Sequence, residues 1–169
     1  MRFTKRIIAV ALIPLLVACS STEHHTRAYE AATVRMRADT WRGYEVVAGQ
    51  KLVLESLHYV SSLPFVVDGI SGYSLHIELD AQRIAKGTVI AIPSEKSRAY
   101  LHTLNAPSYK NVEVSGEVQI VELQSTGVSI ETNLRSKDVP WTKSGIETYR
   151  YARHSCLGKV DWACEFYSK

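Results

Sequence analysis

At 169 residues the chain is long enough for one domain of ordinary size and too short for two comfortable ones. With 46% hydrophobic and 22% charged residues it falls in the globular range, apart from disordered, collagen-like and multi-span membrane chains. The formal charge of +3 is carried by Arg2, Lys5 and Arg6 at the amino terminus, and without them seventeen cationic side chains face seventeen acidic ones. A neutral mature chain lacks the electrostatic footprint of a nucleic-acid binder.

Residues 1–18 have the zones of a secretory signal peptide: a basic Met1 to Arg6, then the apolar IIAVALIPLL of Ile7 to Leu16. That run is about half the roughly 20 residues a membrane-spanning helix needs. Leu16-Val17-Ala18-Cys19 resembles the lipobox of bacterial lipoproteins. The resemblance implies cleavage before Cys19, acylation of its sulfur and new amino group, and a membrane anchor. Several acyl chains, at about 0.8 kcal/mol per buried CH₂, hold stably where one does not. In that family Ser20, rather than an Asp, directs the protein to the outer membrane, facing the periplasm.

Residues 19–28 read as a lipidated polar tether, because SSTEHHTR has no apolar pattern. His24 and His25 are adjacent and so point to opposite faces, which makes solvated histidines the expectation rather than a metal pair. With Cys19 acylated, Cys156 and Cys164 remain as an even pair in an oxidising compartment, and a disulfide between them is expected. Metal and redox roles need closer spacing or more ligands, so no metal or cofactor is expected.

Residues 29–169 are expected to form one β-rich domain. Ala28 to Trp41 is ambiguous between a short helix and an edge segment. Period-two alternation then dominates. Tyr73, Leu75, Ile77 and Leu79 face one way, and Ser74, His76, Glu78 and Asp80 the other, predicting a strand with one solvated face. Val89 to Ile92 is apolar on both faces and predicts a covered central strand. Ser94 to Asn105 is either a short helix or a strand. Val112, Val114, Val118 and Ile120 alternate with polar residues, with Gly116 in the apolar register, where a bulge or close backbone approach is expected. The register flips by Leu123. Ser125-Thr126-Gly127 then turns the chain into Val128, Ile130 and Leu134, completing a hairpin. The fold class is mostly β: an antiparallel sandwich or barrel-like domain of six to eight strands with little helix.

The sequence holds no nucleophile elbow, H-E-x-x-H, phosphate loop or dinucleotide fingerprint. No catalytic residue is assigned, and His76 is expected to be solvated. Charge is more informative: residues 43–134 carry six basic and ten acidic side chains, whereas residues 135–169 carry seven and four. Within that basic tail Trp141, Tyr149, Arg150, Tyr151 and Arg153 interleave aromatic and cationic groups, a composition suited to a protein or glycan partner. The competing reading has Tyr149 and Tyr151 face one side of a terminal strand while Arg150 and Arg153 are solvated on the other. The expected role is a non-enzymatic binding or assembly lipoprotein of the envelope. Small β-rich lipoproteins with a disulfide near the carboxyl terminus include periplasmic lysozyme inhibitors, and Ser71-Gly72-Tyr73 is similar to a Ser-Gly loop of that group. This resemblance implies inhibition of a host hydrolase as the alternative; a small envelope hydrolase is a further one.

Overall fold

The computed structural model describes residues 21–37, 43–61, 70–105, 108–153 and 156–157. Among them run nine strands: β1 (Ser21–Met36), β2 (Tyr44–Ala48), β3 (Lys51–Ser61), β4 (Ile70–Leu79), β5 (Val89–Ile92), β6 (Arg98–Asn105), β7 (Ser108–Gln124), β8 (Gly127–Ser136) and β9 (Thr142–Tyr151). A 3₁₀ turn at Ala81–Arg83 is the helical element among the described residues, begun by Asp80, whose carboxylate accepts from the Gln82 amide. The mostly-β expectation therefore holds, with nine strands rather than six to eight.

All nine belong to one sheet, whose order is β2-β1-β3-β4-β6-β7-β8-β9 with β5 beside β7. The order returns on itself, because β9 pairs β1 in parallel, Arg27 opposite Arg150 and Ala28 opposite Tyr151. The other pairings are antiparallel. Seven strands thus close a ring of pairings; β5 pairs with β7 beyond its pairing with β6, and β2 pairs with the far half of β1. Alternate side chains point inward, so Leu54, Ile77, Leu101, Val118, Ile130 and Leu134 meet in one core. Each such burial stabilises by about 1.5–3 kcal/mol relative to exposure.

Local irregularities fall where the sequence pattern changes. Gly116 has φ of 144°, and a Cβ there would run into the carbonyl of Asn133 on β8. The register shifts between Ile120 and Glu122, which places Leu123, opposite Val128, on the same face as Ile120, opposite Ile130. Gln124 then faces Gly127 across the Ser125-Thr126 turn, closing the expected hairpin.

Several expectations need correction. Ser21 to Ala28 is not a tether: it pairs residue by residue with Leu54 to Ser61 of β3. The ambiguous segment from Ala28 is extended to Met36, and Ser94 to Asn105 yields the strand β6 rather than a helix. β5 is not a covered central strand. Among the described residues it pairs β7 alone, and Val89 and Ala91 are exposed, because both neighbours of a central strand are needed to cover an apolar run.

The largest departure concerns β4. Ser74, His76 and Glu78, expected to face solvent, are as buried as Leu75 and Ile77. A second layer covers them. β1 shifts register between Tyr29 and Ala32, with Ala31 in the left-handed region, and its far half pairs with β2. That hairpin folds over the outer face of β3, β4 and β6: the Tyr44 ring lies 6.0 Å from His76 and 5.2 Å from Tyr100. Gly43, at φ of 66°, approaches His102 and Asn111 so closely that any Cβ would collide with them.

Candidate functional site

The period of two puts Lys143, Glu147, Tyr149 and Tyr151 of β9 on the ring's inner side. At the ring end where β1 begins, Glu147 gathers three partners. His24 Nε2 is 3.0 Å from one carboxylate oxygen, and Lys143 Nζ is 2.9 Å from the other. The Tyr149 hydroxyl donates to that second oxygen as well. Burial, and then the negative charge of Glu147, push the Tyr149 hydroxyl well above its ordinary pKa. An aromatic run continues from this cluster across the ring. His24 meets His58 edge-on at 5.8 Å, His58 stacks on Tyr73 at 5.4 Å, and Tyr73 meets Trp141 edge-on at 5.7 Å. Lys143 Nζ lies 5.9 Å from the Tyr73 ring centre.

Ser56, His24 and Glu147 are the residue types of an acyl-transfer triad, and their geometry can be judged. Such a triad needs one imidazole nitrogen on the hydroxyl and the other on the carboxylate. Here Nε2 faces both, at 3.5 Å from Ser56 Oγ and 3.0 Å from Glu147. Ser56 is fully buried. The cluster is built to tie β1, β3 and β9 together, not to draw a proton from a serine presented to substrate.

A second polar cluster lies on the outer face, beneath the hairpin. Glu55 of β3 receives the Tyr29 hydroxyl at 3.0 Å and sits 3.2 Å from His76 Nε2 and 3.9 Å from Arg27 Nη1. Burial pushes the Glu55 carboxyl up. The hydrogen bond and charge of His76, then Arg27 and Tyr29, outweigh it and hold Glu55 below its usual value. Next to it, Glu78 accepts from Thr33 Oγ1 at 2.5 Å and from the Val34 amide at 2.6 Å, and pairs with Lys51 Nζ at 3.1 Å. These contacts clamp the hairpin to the ring. His76 is therefore a buried strut rather than a solvated histidine, and His102, also buried, faces Asn111 Oδ1 at 2.5 Å.

The aromatic and basic residues expected to meet a partner divide by strand parity. Tyr149 and Tyr151 are buried in the ring core, so they present nothing to a partner. Arg150 and Arg153 are exposed, and Trp141 is half-buried against the core at the β8–β9 turn. Cys19, Cys164 and His154 lie outside the described residues, while Cys156 is buried with Tyr29, Val46 and Val53 in a smaller cluster. Ser71 to Tyr73 is not a loop: it lies within β4, paired on one side with β3 and on the other with β6.

A tether over residues 19–28 and a surface over residues 141–153 leave no place for the end cluster, which joins the two segments. A signal was available. Tyr149 and Tyr151 on one strand face put Glu147 and Lys143 on that face too, which makes an inward-facing ion pair legible in the alternation itself. At the other end of the ring, Glu30, Lys51, Leu52, Ile84 and Tyr151 are among the residues lining a depression of about 90 Å³, below the roughly 300 Å³ of a ligand pocket. No group of histidines, cysteines and carboxylates fit to hold a metal occurs among the described residues. No protein-family model, curated protein or solved structure matches the chain.

Proposed function

We propose that this chain is a lipid-anchored envelope protein, held at Cys19 in the outer membrane and facing the periplasm. In this reading it acts as a non-enzymatic binding or assembly subunit. The observation that carries the reading is the engagement of Glu55 and Glu147, the carboxylates that lie beside histidines. Glu55 is committed to His76, Tyr29 and Arg27, and Glu147 to His24, Lys143 and Tyr149. A general acid or base needs a carboxylate or imidazole turned toward substrate, and these are turned toward one another. We read the closed ring as a small barrel whose interior is filled by side chains, which leaves its outer surface for recognition.

On that surface the outer row of β9 presents Ile146, at 67% the most exposed large apolar side chain among the described residues, two residues from Thr148 and four from Arg150. An apolar centre with a polar rim suits a protein partner better than a glycan. Soluble protein lacking residues 1–19, coupled to beads, is expected to retain an envelope protein that an Ile146→Asp, Arg150→Ala variant does not. Retention by both places the contact elsewhere. Cleavage of an envelope substrate by the wild type, with no retained partner, overturns the reading in favour of a hydrolase. The lysozyme-inhibitor alternative predicts loss of lysozyme activity on mixing, but its Ser-Gly feature is strand-paired here.

A further inference from the structure

We propose that the ring end formed by the start of β1 and the β8–β9 turn rests on the phospholipid headgroup layer, with Trp141 at the interface. The inference depends on acylation of Cys19 as proposed above. Its basis is the distance between the anchor and the fold. β1 is sheet-paired from Ser21, so Ser20 alone separates it from Cys19. Two residues span at most about 7 Å.

The parallel register of β1 and β9 then fixes what lies beside the anchor. Arg27 is level with Arg150. The register persists toward the start of β1, since His24 meets Glu147 and the Thr26 hydroxyl reaches the Thr148 carbonyl at 2.9 Å. Ser21 is thus level with Ser144, and Trp141 lies three residues beyond, about 10 Å farther along the strand direction. Acyl chains carried on Cys19 therefore start no more than about 7 Å from Ser21, at the ring end to which Trp141 belongs.

The chemistry of this end fits a headgroup layer. Trp141 is half-buried, with its ring against Tyr73, and Lys110 and Lys137 are exposed, as are the acids Glu113 and Asp138. Indole rings settle at membrane interfaces, and lysines extend their apolar stems there while their ammonium groups meet phosphates. Anionic lipid adds electrostatic attraction for each cation near the surface.

The test uses the full acylated chain, with Trp41→Phe and Trp162→Phe, in vesicles of phosphatidylethanolamine and phosphatidylglycerol. Phospholipid brominated near the top of its acyl chains is expected to quench Trp141, and aqueous iodide to leave it largely unquenched. A flexible Gly/Ser linker of about 12 residues inserted after Ser20 reaches about 19 Å and is expected to abolish the lipid quenching. On the unaltered protein, the amides of Lys137, Asp138, Val139 and Trp141 are expected to exchange hydrogen more slowly in vesicles than in the soluble form lacking residues 1–19. Unchanged Trp141 emission and exchange, with acyl chains present by intact mass, overturn the seating and leave the anchor standing. Quenching that survives the linker overturns the argument from distance. An intact mass without acyl chains removes the anchor and this proposal together.

Discussion

Glu55 and His76 stand directly opposite each other on β3 and β4, Oε1 to Nε2 at 3.2 Å, on the sheet face that the β1–β2 hairpin covers. Their pairing turns a polar strand face into a buried one. It also makes the hairpin's attachment depend on pH.

Glu55 is held below its usual value in the folded chain. Its contribution is therefore complete above the unfolded carboxylate range and is lost as pH falls through the folded value. Urea unfolding is expected to show stability falling below about pH 5. Glu55→Gln should flatten that fall while costing about 1.5–3 kcal/mol at pH 7, the magnitude of hydrogen bonds to a charged group. An unchanged acid profile in the variant would contradict the assignment.

Three tyrosines predict the alkaline limit. Burial, followed by the neighbouring Tyr100 and Glu113, pushes Tyr44 up to about 12, and burial likewise raises Tyr29 and Tyr149. A folded value above the unfolded one, near 10, gives stability that is full below about pH 10 and lost as pH rises through the folded values. Absorbance at 295 nm is expected to rise in two phases, the later one coinciding with unfolding. Tyr44→Phe should shrink the later phase.

Adjacent positions on β9 should behave oppositely. Tyr149→Ala empties a fully buried site in the ring core and is expected to cost about 3–5 kcal/mol. Arg150→Ala, on the exposed face, is expected to change stability by no more than about 0.5 kcal/mol. Equal costs in urea unfolding would contradict the alternation.

Gly43→Ala should loosen the hairpin. The new methyl group meets Asn111 and His102, and the left-handed backbone adds strain, so a loss of more than about 1 kcal/mol is expected. Hydrogen exchange should accelerate in Tyr44–Ala48 before it does in β7 and β8. Uniform acceleration would mean that the hairpin and ring unfold as one unit.

The expected Cys156–Cys164 disulfide predicts no reactive thiol in the denatured, unreduced mature chain once Cys19 is acylated. Reduction should cost roughly 2.5 kcal/mol, the loop-closure value for so short a segment. Two reactive thiols would contradict it.

What the sequence determined by itself was local: where strands run, where they turn and which residues share a face. The alternation from Val112 to Arg135 marked the β7–β8 hairpin, and Leu123 marked its bulge, because a period of two is a property of consecutive residues. The same periodicity assigned Tyr149 and Tyr151 to one side of β9. Tertiary structure decided what each face meets. His76 alternates as a solvent-facing residue does, and only a hairpin arriving from elsewhere in the chain buries it. Ser21 to Ala28 carries no apolar pattern, yet it is a strand, because the main-chain groups of β3 bind it whatever its side chains are. His24 and Glu147 come together for the same reason. They are distant along the chain, and nothing local to either records that closing the ring brings β1 beside β9.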